Sequence, residues 1–217
     1  MAHEKISCMS FSRDLGIGRE DTYLTKMKVI ETVYFMRRCA VILLLMTAPL
    51  AAHADQTDPR LDDLFATLKS TADKNLASEV QQEIWDKWTS FDADPAIDAQ
   101  MREGVRLMES GSLRQAEAVF GNLAGAAPDF AEAWNKRATV RFLMGDFNGS
   151  KSDIARTLEL EPRHFGALSG LGMIHAHEGN FDNALLAYKA AARQNPHMFQ
   201  VEKIIRQLQK KLKGEAL

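Results

Sequence analysis

A step of 34 residues runs through the second half of the chain and constrains its fold more than any other feature. Pro128, Pro162 and Pro196 follow one another at that interval, and so do Gly111, Gly145 and Gly179. The small residues Ala116, Ser150 and Ala184 keep the same phase, as do the large apolar residues Phe120, Ile154 and Tyr188. Three units result: 97–130, 131–164 and 165–198. Each reads as two helices joined by a tight turn. The glycines suit the left-handed conformation that ends a first helix. Ser112 and Asn180 then stand as N-caps of the second helix, with Gln115 and Asn183 three residues on. Each proline closes the second helix, because the residue before a proline is pushed out of the helical region. Gly104, Ala138 and Gly172 occupy position 8 of their units, where a small residue lets two helices cross closely. One such unit cannot cover its own apolar face, so neighbours must stack.

A repeat of this length with these residue types resembles the tetratricopeptide repeat (TPR) family. The resemblance covers 97–198. It implies an all-α fold, a right-handed superhelical stack of antiparallel helix pairs. It also implies a protein-binding role, with a concave groove lined from positions 2, 5, 9 and 12 of each first helix. Those positions are Asp98, Met101, Val105 and Met108 in unit one. Unit two supplies Glu132, Asn135, Thr139 and Phe142, and unit three supplies Gly166, Ser169, Met173 and Ala176. Met101, Val105, Met108, Asn135, Thr139, Phe142, Ser169 and Met173 are the expected partner-binding residues. Some family members hold a C-terminal carboxylate in a clamp of Lys, Arg and Asn at these positions. Met101, Val105, Ser169 and Met173 replace that pattern, so a carboxylate clamp is not expected. The groove reads as apolar and suits a helix or an adaptable apolar surface. Two occupants remain open: a partner, or the chain's own N-terminal helices folded back over it.

Two further departures stand out. Position 7 reads Glu103, Arg137 and Leu171, and position 11 reads Leu107, Arg141 and His175. Glu103 and Arg137 are candidates for an ion pair across the unit interface, or else for two side chains that snorkel to solvent.

Residues 36–54 read as a signal peptide. Arg37 and Arg38 precede an apolar run from Ala40 to Leu50, and Ala52-His53-Ala54 fits the small-x-small cleavage pattern. The run falls short of the roughly 20 residues that span a bilayer. Residues 1–35 are polar and show no sustained period. They fit an upstream extension outside the native protein, which would start at Met36, or a cytoplasmic tail ahead of an uncleaved anchor. Export to the bacterial periplasm is the expectation, with membrane contact only if the signal stays uncleaved.

Cleavage removes both cysteines, Cys8 and Cys39. The 163 residues from Asp55 onward carry 20 Lys and Arg against 24 Asp and Glu. That balance argues against nucleic acid. A disulfide framework, a thiolate metal site and a cysteine nucleophile are excluded together. His175 and His177 point to different sides of a helix and cannot chelate one ion. No HExxH, phosphate loop or GxSxG is present. No catalytic set, metal site, cofactor or small-molecule substrate is therefore expected.

Residues 55–96 read as an atypical N-terminal helix pair. Asp58-Pro59 opens the first helix, whose stripe is Leu61, Leu64, Phe65 and Leu68. Ser70 or Thr71 caps the second, with a stripe of Leu76, Val80, Ile84 and Trp88 and with Trp85 beside it. Residues 199–217 read as a C-terminal capping helix whose apolar face carries Val201, Ile204, Ile205, Leu208 and Leu212. Function thus resolves to two readings. One is a non-catalytic interaction module that binds a peptide, helix or partner surface. The other is a structural subunit of an envelope assembly whose groove is filled by its own N-terminal helices.

Overall fold

The 34-residue step is written into the backbone: Gly111, Gly145 and Gly179 take φ of 78°, 82° and 76°. Each turns the chain between two antiparallel helices. The computed structural model describes residues 58–91 and 94–214, all within the second of the chain's two units, 52–217. The upstream extension and the signal segment lie outside the described residues. No described helix is long and apolar enough to cross a membrane.

Every regular element among the described residues is a helix. The N-terminal pair is α1 (Arg60–Ser70) and α2 (Lys74–Thr89). The units are α3 (Pro95–Glu109) with α4 (Leu113–Ala126), α5 (Ala131–Leu143) with α6 (Phe147–Leu160), and α7 (Phe165–His177) with α8 (Phe181–Gln194). The last helix is α9 (Phe199–Leu212). Pro128, Pro162 and Pro196 each stand two residues past the end of a second helix.

The periodic small residues sit where helices cross. Ala116, Ser150 and Ala184 are fully buried. A Cβ added to Gly104 would lie 2.5 Å from the Phe120 ring, and one on Gly172 would lie 2.9 Å from the Tyr188 ring. Each position 8 glycine thus makes room for the large residue of its partner helix. Ser150 adds a bond that alanine lacks: its hydroxyl donates to the Ala138 carbonyl at 2.8 Å.

Caps depart from the sequence reading in two places. Asn180 caps α8 by accepting from the Asn183 amide, but Ser112 makes no cap bond. Its hydroxyl accepts from Ser110 instead. The start of α2 is capped by Asp73, which accepts from the Asn75 amide, rather than by Ser70 or Thr71. This start leaves Leu76 39 % exposed and puts Ala77 in the core.

Of the two alternatives for Glu103 and Arg137, an ion pair or two side chains that snorkel to solvent, the ion pair does not form. Glu103 bonds Arg106 on its own helix. Arg137 reaches Asp153 on α6 with two bonds, at 2.8 and 2.6 Å. Arg141 bonds the same carboxylate at 2.9 Å and also Glu117. The reason is burial. Asp153 is 2 % exposed, and a buried carboxylate needs counter-charge more than the well-solvated Glu103 does.

The N-terminal pair holds its own apolar cluster, built from Leu61, Phe65 and Leu68 against Val80, Ile84 and Trp88. That cluster also takes in Phe165 of unit three. The pair therefore reaches past unit one, toward α5 and the loops before α7 and α9.

Candidate functional site in the concave face

The concave face is organised around a buried histidine. His164 precedes α7, and its Nδ1 accepts from the Ala167 amide at 3.1 Å. The proton therefore belongs to Nε2, which donates to Glu132 Oε2 at 2.8 Å. Both side chains are fully buried. Glu132 also receives Asn135 Nδ2 at 2.9 Å and Lys136 Nζ at 3.0 Å. Burial pulls the Glu132 carboxyl upward, but Lys136 and His164 outweigh it and hold its pKa below the usual carboxylate value.

Against this cluster lies α2. The Trp88 ring stacks on His164 at 4.2 Å and 12°. Trp85 meets Phe165 edge-on at 5.4 Å and His164 at 5.6 Å. A Cβ on Gly166 would lie 2.9 Å from the Trp85 ring. Glycine at position 2 of unit three, where units one and two carry Asp98 and Glu132, is what admits that ring. Polar contacts fasten the edges. Arg163 donates to Asp62, Asn195 donates to Gln81, and His197 Nε2 lies 3.1 Å from the Leu68 carbonyl.

So placed, α2 divides the groove. On one side opens a pocket of about 590 Å³, walled by Gln81 and Trp85 of α2, by α5, by α7 and by the start of α9. On the other lies a pocket of about 520 Å³ that reaches Asp86, Thr89 and Ser90 from the end of α2 region and Arg102 of α3.

The eight residues expected from sequence separate accordingly. Asn135, Thr139, Phe142, Ser169 and Met173 come together in the larger pocket. Met101 and Val105 line the smaller one, and Met101 is only 4 % exposed. Met108 packs against the unit-one core and lines neither pocket. The eight do not share one open face, because α2 stands between them. The sequence reading missed Gln81 and Trp85, and also Met198 just before α9 and Phe199 at its start. One signal was present: Trp85 falls off the apolar stripe of its own helix, so it had to find a partner elsewhere. Nothing local in the sequence marks His164 as buried. No group of three His, Cys, Asp or Glu placed to hold a metal occurs among the described residues.

Comparisons with known proteins agree with this geometry. The tetratricopeptide repeat family profile matches residues 136–198. A TPR repeat-containing protein of Rhizobium etli is 35 % identical over 155 residues, which cover 71 % of this chain and 76 % of the relative. Tetratricopeptide repeat protein 36 of Mus musculus is 35 % identical over 95 residues, 42 % of this chain and 51 % of that protein. Among solved structures, the Sgt2 TPR domain from Aspergillus fumigatus superposes with a TM-score of 0.52 at 18 % identity, covering 55 % of this chain and 81 % of that one. The first TPR of Spaghetti (RPAP3), solved bound to an HSP90 peptide, gives 0.51 at 18 % identity, covering 54 % and 92 %. With the repeat phase, the turn glycines and a relative matched over most of its length, the chain belongs to the tetratricopeptide repeat family.

Proposed function

We propose that this protein is a non-catalytic protein–protein interaction module of the bacterial periplasm, and that its partner docks in the larger concave pocket. The observation that carries the reading is the pocket itself. It lies on the concave face, and its rim exposes Met173 at 45 % and Phe199 at 57 %. Exposed large apolar groups beside a cavity suit a protein contact. A structural neighbour of the same fold was solved with an HSP90 peptide, which supports a peptide-binding use of the architecture. The signal-like segment 36–54 supports export.

Expression of the full chain in a bacterium, followed by affinity capture from the envelope fraction, tests the docking. Met173→Asp is expected to abolish recovery of the partner without unfolding the protein, since the side chain is exposed. Recovery unchanged by that substitution rejects the pocket as the docking site. N-terminal sequencing of the periplasmic form tests the export, and a start at Asp55 is expected.

A second reading has its own observation. Because α2 lies across the groove, the chain already fills part of it, as a structural subunit of an envelope assembly would. A stable assembly recovered intact from Met173→Asp cells favours that reading.

A further inference from the structure

We infer that what enters the larger pocket is a short, uncharged, apolar knob of a partner protein, one or two large side chains on a turn or a blocked chain end. A helix laid along the groove and a carboxylate-terminated peptide are both disfavoured. The inference rests on the reading of this pocket as a partner site, and adds what the partner must present.

Length comes first. Gln81 and Trp85 wall the larger pocket, while Asp86 and Thr89 of the same helix wall the smaller one. α2 thus stands between the two pockets and contributes a wall to each. It is held by the stack of Trp88 on His164 and by the bond of Asn195 to Gln81, while the bond of Arg163 to Asp62 holds its partner α1. A partner helix running through the groove would have to displace that whole contact. A knob needs only the cavity, whose volume of about 590 Å³ falls within the range typical of small-ligand sites.

Charge comes second. Asp, Glu, Lys and Arg make up 26 % of the chain, yet none of them lines this pocket among the described residues. Its polar lining consists of amides, hydroxyls and His197, whose Nε2 already faces the Leu68 carbonyl. A carboxylate placed there would lose its water and meet no cation in the lining; Lys136 and Lys74 lie over the Trp85 and Phe199 rings, and Lys136 is already paired with Glu132. The backbone amides of an uncharged segment would be satisfied. Ser169 and Gln200 line the pocket and spend no side-chain bond on other described residues.

The test is a ¹H–¹⁵N NMR titration of the full chain with two probes, N-acetyl-Leu-Phe-amide and the same dipeptide as its free acid. The amide is expected to shift Gly166, Ser169 and Gly170, and the acid to bind about tenfold more weakly, the ordinary cost of about 1.4 kcal/mol. Gly170→Met is expected to abolish the response. A Cβ there meets only Ile154 Cδ1, at 3.6 Å, so the new side chain grows into the cavity without displacing backbone. Should that variant not fold, Met173→Glu on the exposed rim takes its place and is expected to weaken the amide. The Leu-Phe pair placed in a blocked amphipathic helix of about 18 residues is expected to bind no tighter than the dipeptide. Equal binding of amide and acid, shifts centred on Met101 and Val105, no response at all, or a helix bound tenfold tighter would each overturn the inference. Failure of the partner reading looks different: Met173→Asp would leave capture from the envelope unchanged while the dipeptide still binds.

Discussion

Three glycines in helices, at 104, 170 and 172, show how one residue type serves opposite ends. At Gly104 a Cβ would press into the Phe120 ring, whereas at Gly170 it would make an ordinary contact with Ile154. Gly104→Ala is therefore expected to destabilise by about 1–3 kcal/mol through overpacking, which exceeds its gain of about 1 kcal/mol in helix propensity. Gly170→Ala meets no such clash and is expected to stabilise by up to about 1 kcal/mol. Urea unfolding of the two variants checks this, and midpoints moving in the same direction would contradict the packing. Glu132 makes a residue-scale prediction about pH. Its folded pKa is lowered from 4.5 by Lys136 and His164 against the upward pull of burial. A lowered carboxylate contributes stability above its unfolded pKa and loses it as pH falls through the folded value. Glu132→Gln is expected to cost about 1–3 kcal/mol near neutrality and to flatten the loss of stability below pH 4.5. Unfolding free energies measured at pH 7 and at pH 3 should differ less in the variant than in the native chain. An equal difference would mean that Glu132 is not the group lost in acid.

At the scale of elements, the units could be read from the sequence because their signals are local and repeated. Gly111, Gly145 and Gly179 end α3, α5 and α7 by backbone conformation alone, and Ala116, Ser150 and Ala184 mark crossings within one unit. The groove positions come from the resemblance to the repeat family, which puts positions 2, 5, 9 and 12 of each first helix on the concave side, and not from any local signal. Where α2 would lie could not be read. Its partners His164 and Phe165 are some 80 residues away in the chain, and no period links them. The N-terminal stripe of Val80, Ile84 and Trp88 announces a buried face without saying what buries it. The same limit hid the division of the groove, and with it the separation of Met101 and Val105 from Asn135, Phe142 and Met173. The seat of α2 gives an element-scale prediction. Trp88 is buried between its own pair and His164, so Trp88→Ala is expected to cost about 3–5 kcal/mol. Trp85 instead lines the pocket, and Trp85→Ala is expected to cost less while enlarging the cavity. Thermal midpoints rank the two, and a larger loss at Trp85 would mean that the pocket wall carries the seat.

For the molecule as a whole, the N-terminal pair changes how the stack holds together. A linear solenoid is stabilised by contacts between neighbours, and its ends open independently. Here Asp62 bonds Arg163 over 101 residues of sequence, Gln81 bonds Asn195 over 114, and Leu68 meets His197 over 129. The first two helices are thus tied to the end of unit two and, through Asn195 and His197, to the approach to α9, so that units one and two are enclosed between the tied segments in the chain. Closing such long loops costs entropy only slowly with length, so a handful of buried aromatic contacts suffices to hold the tie. The consequence is cooperative: α1, α2 and the first turns of α9, residues 199–205, should open together. Native-state hydrogen exchange in low denaturant tests this. The amides of those segments are expected to share one opening free energy and one denaturant dependence. Gln81→Ala removes one fastening and leaves both helices' own backbone bonds intact. It is expected to lower protection in α1, α2 and residues 199–205 by the same amount, within about 0.5 kcal/mol. Protection that falls in α1 and α2 while residues 199–205 keep theirs would show that the stack frays from each end separately, and that the tie adds contacts without coupling.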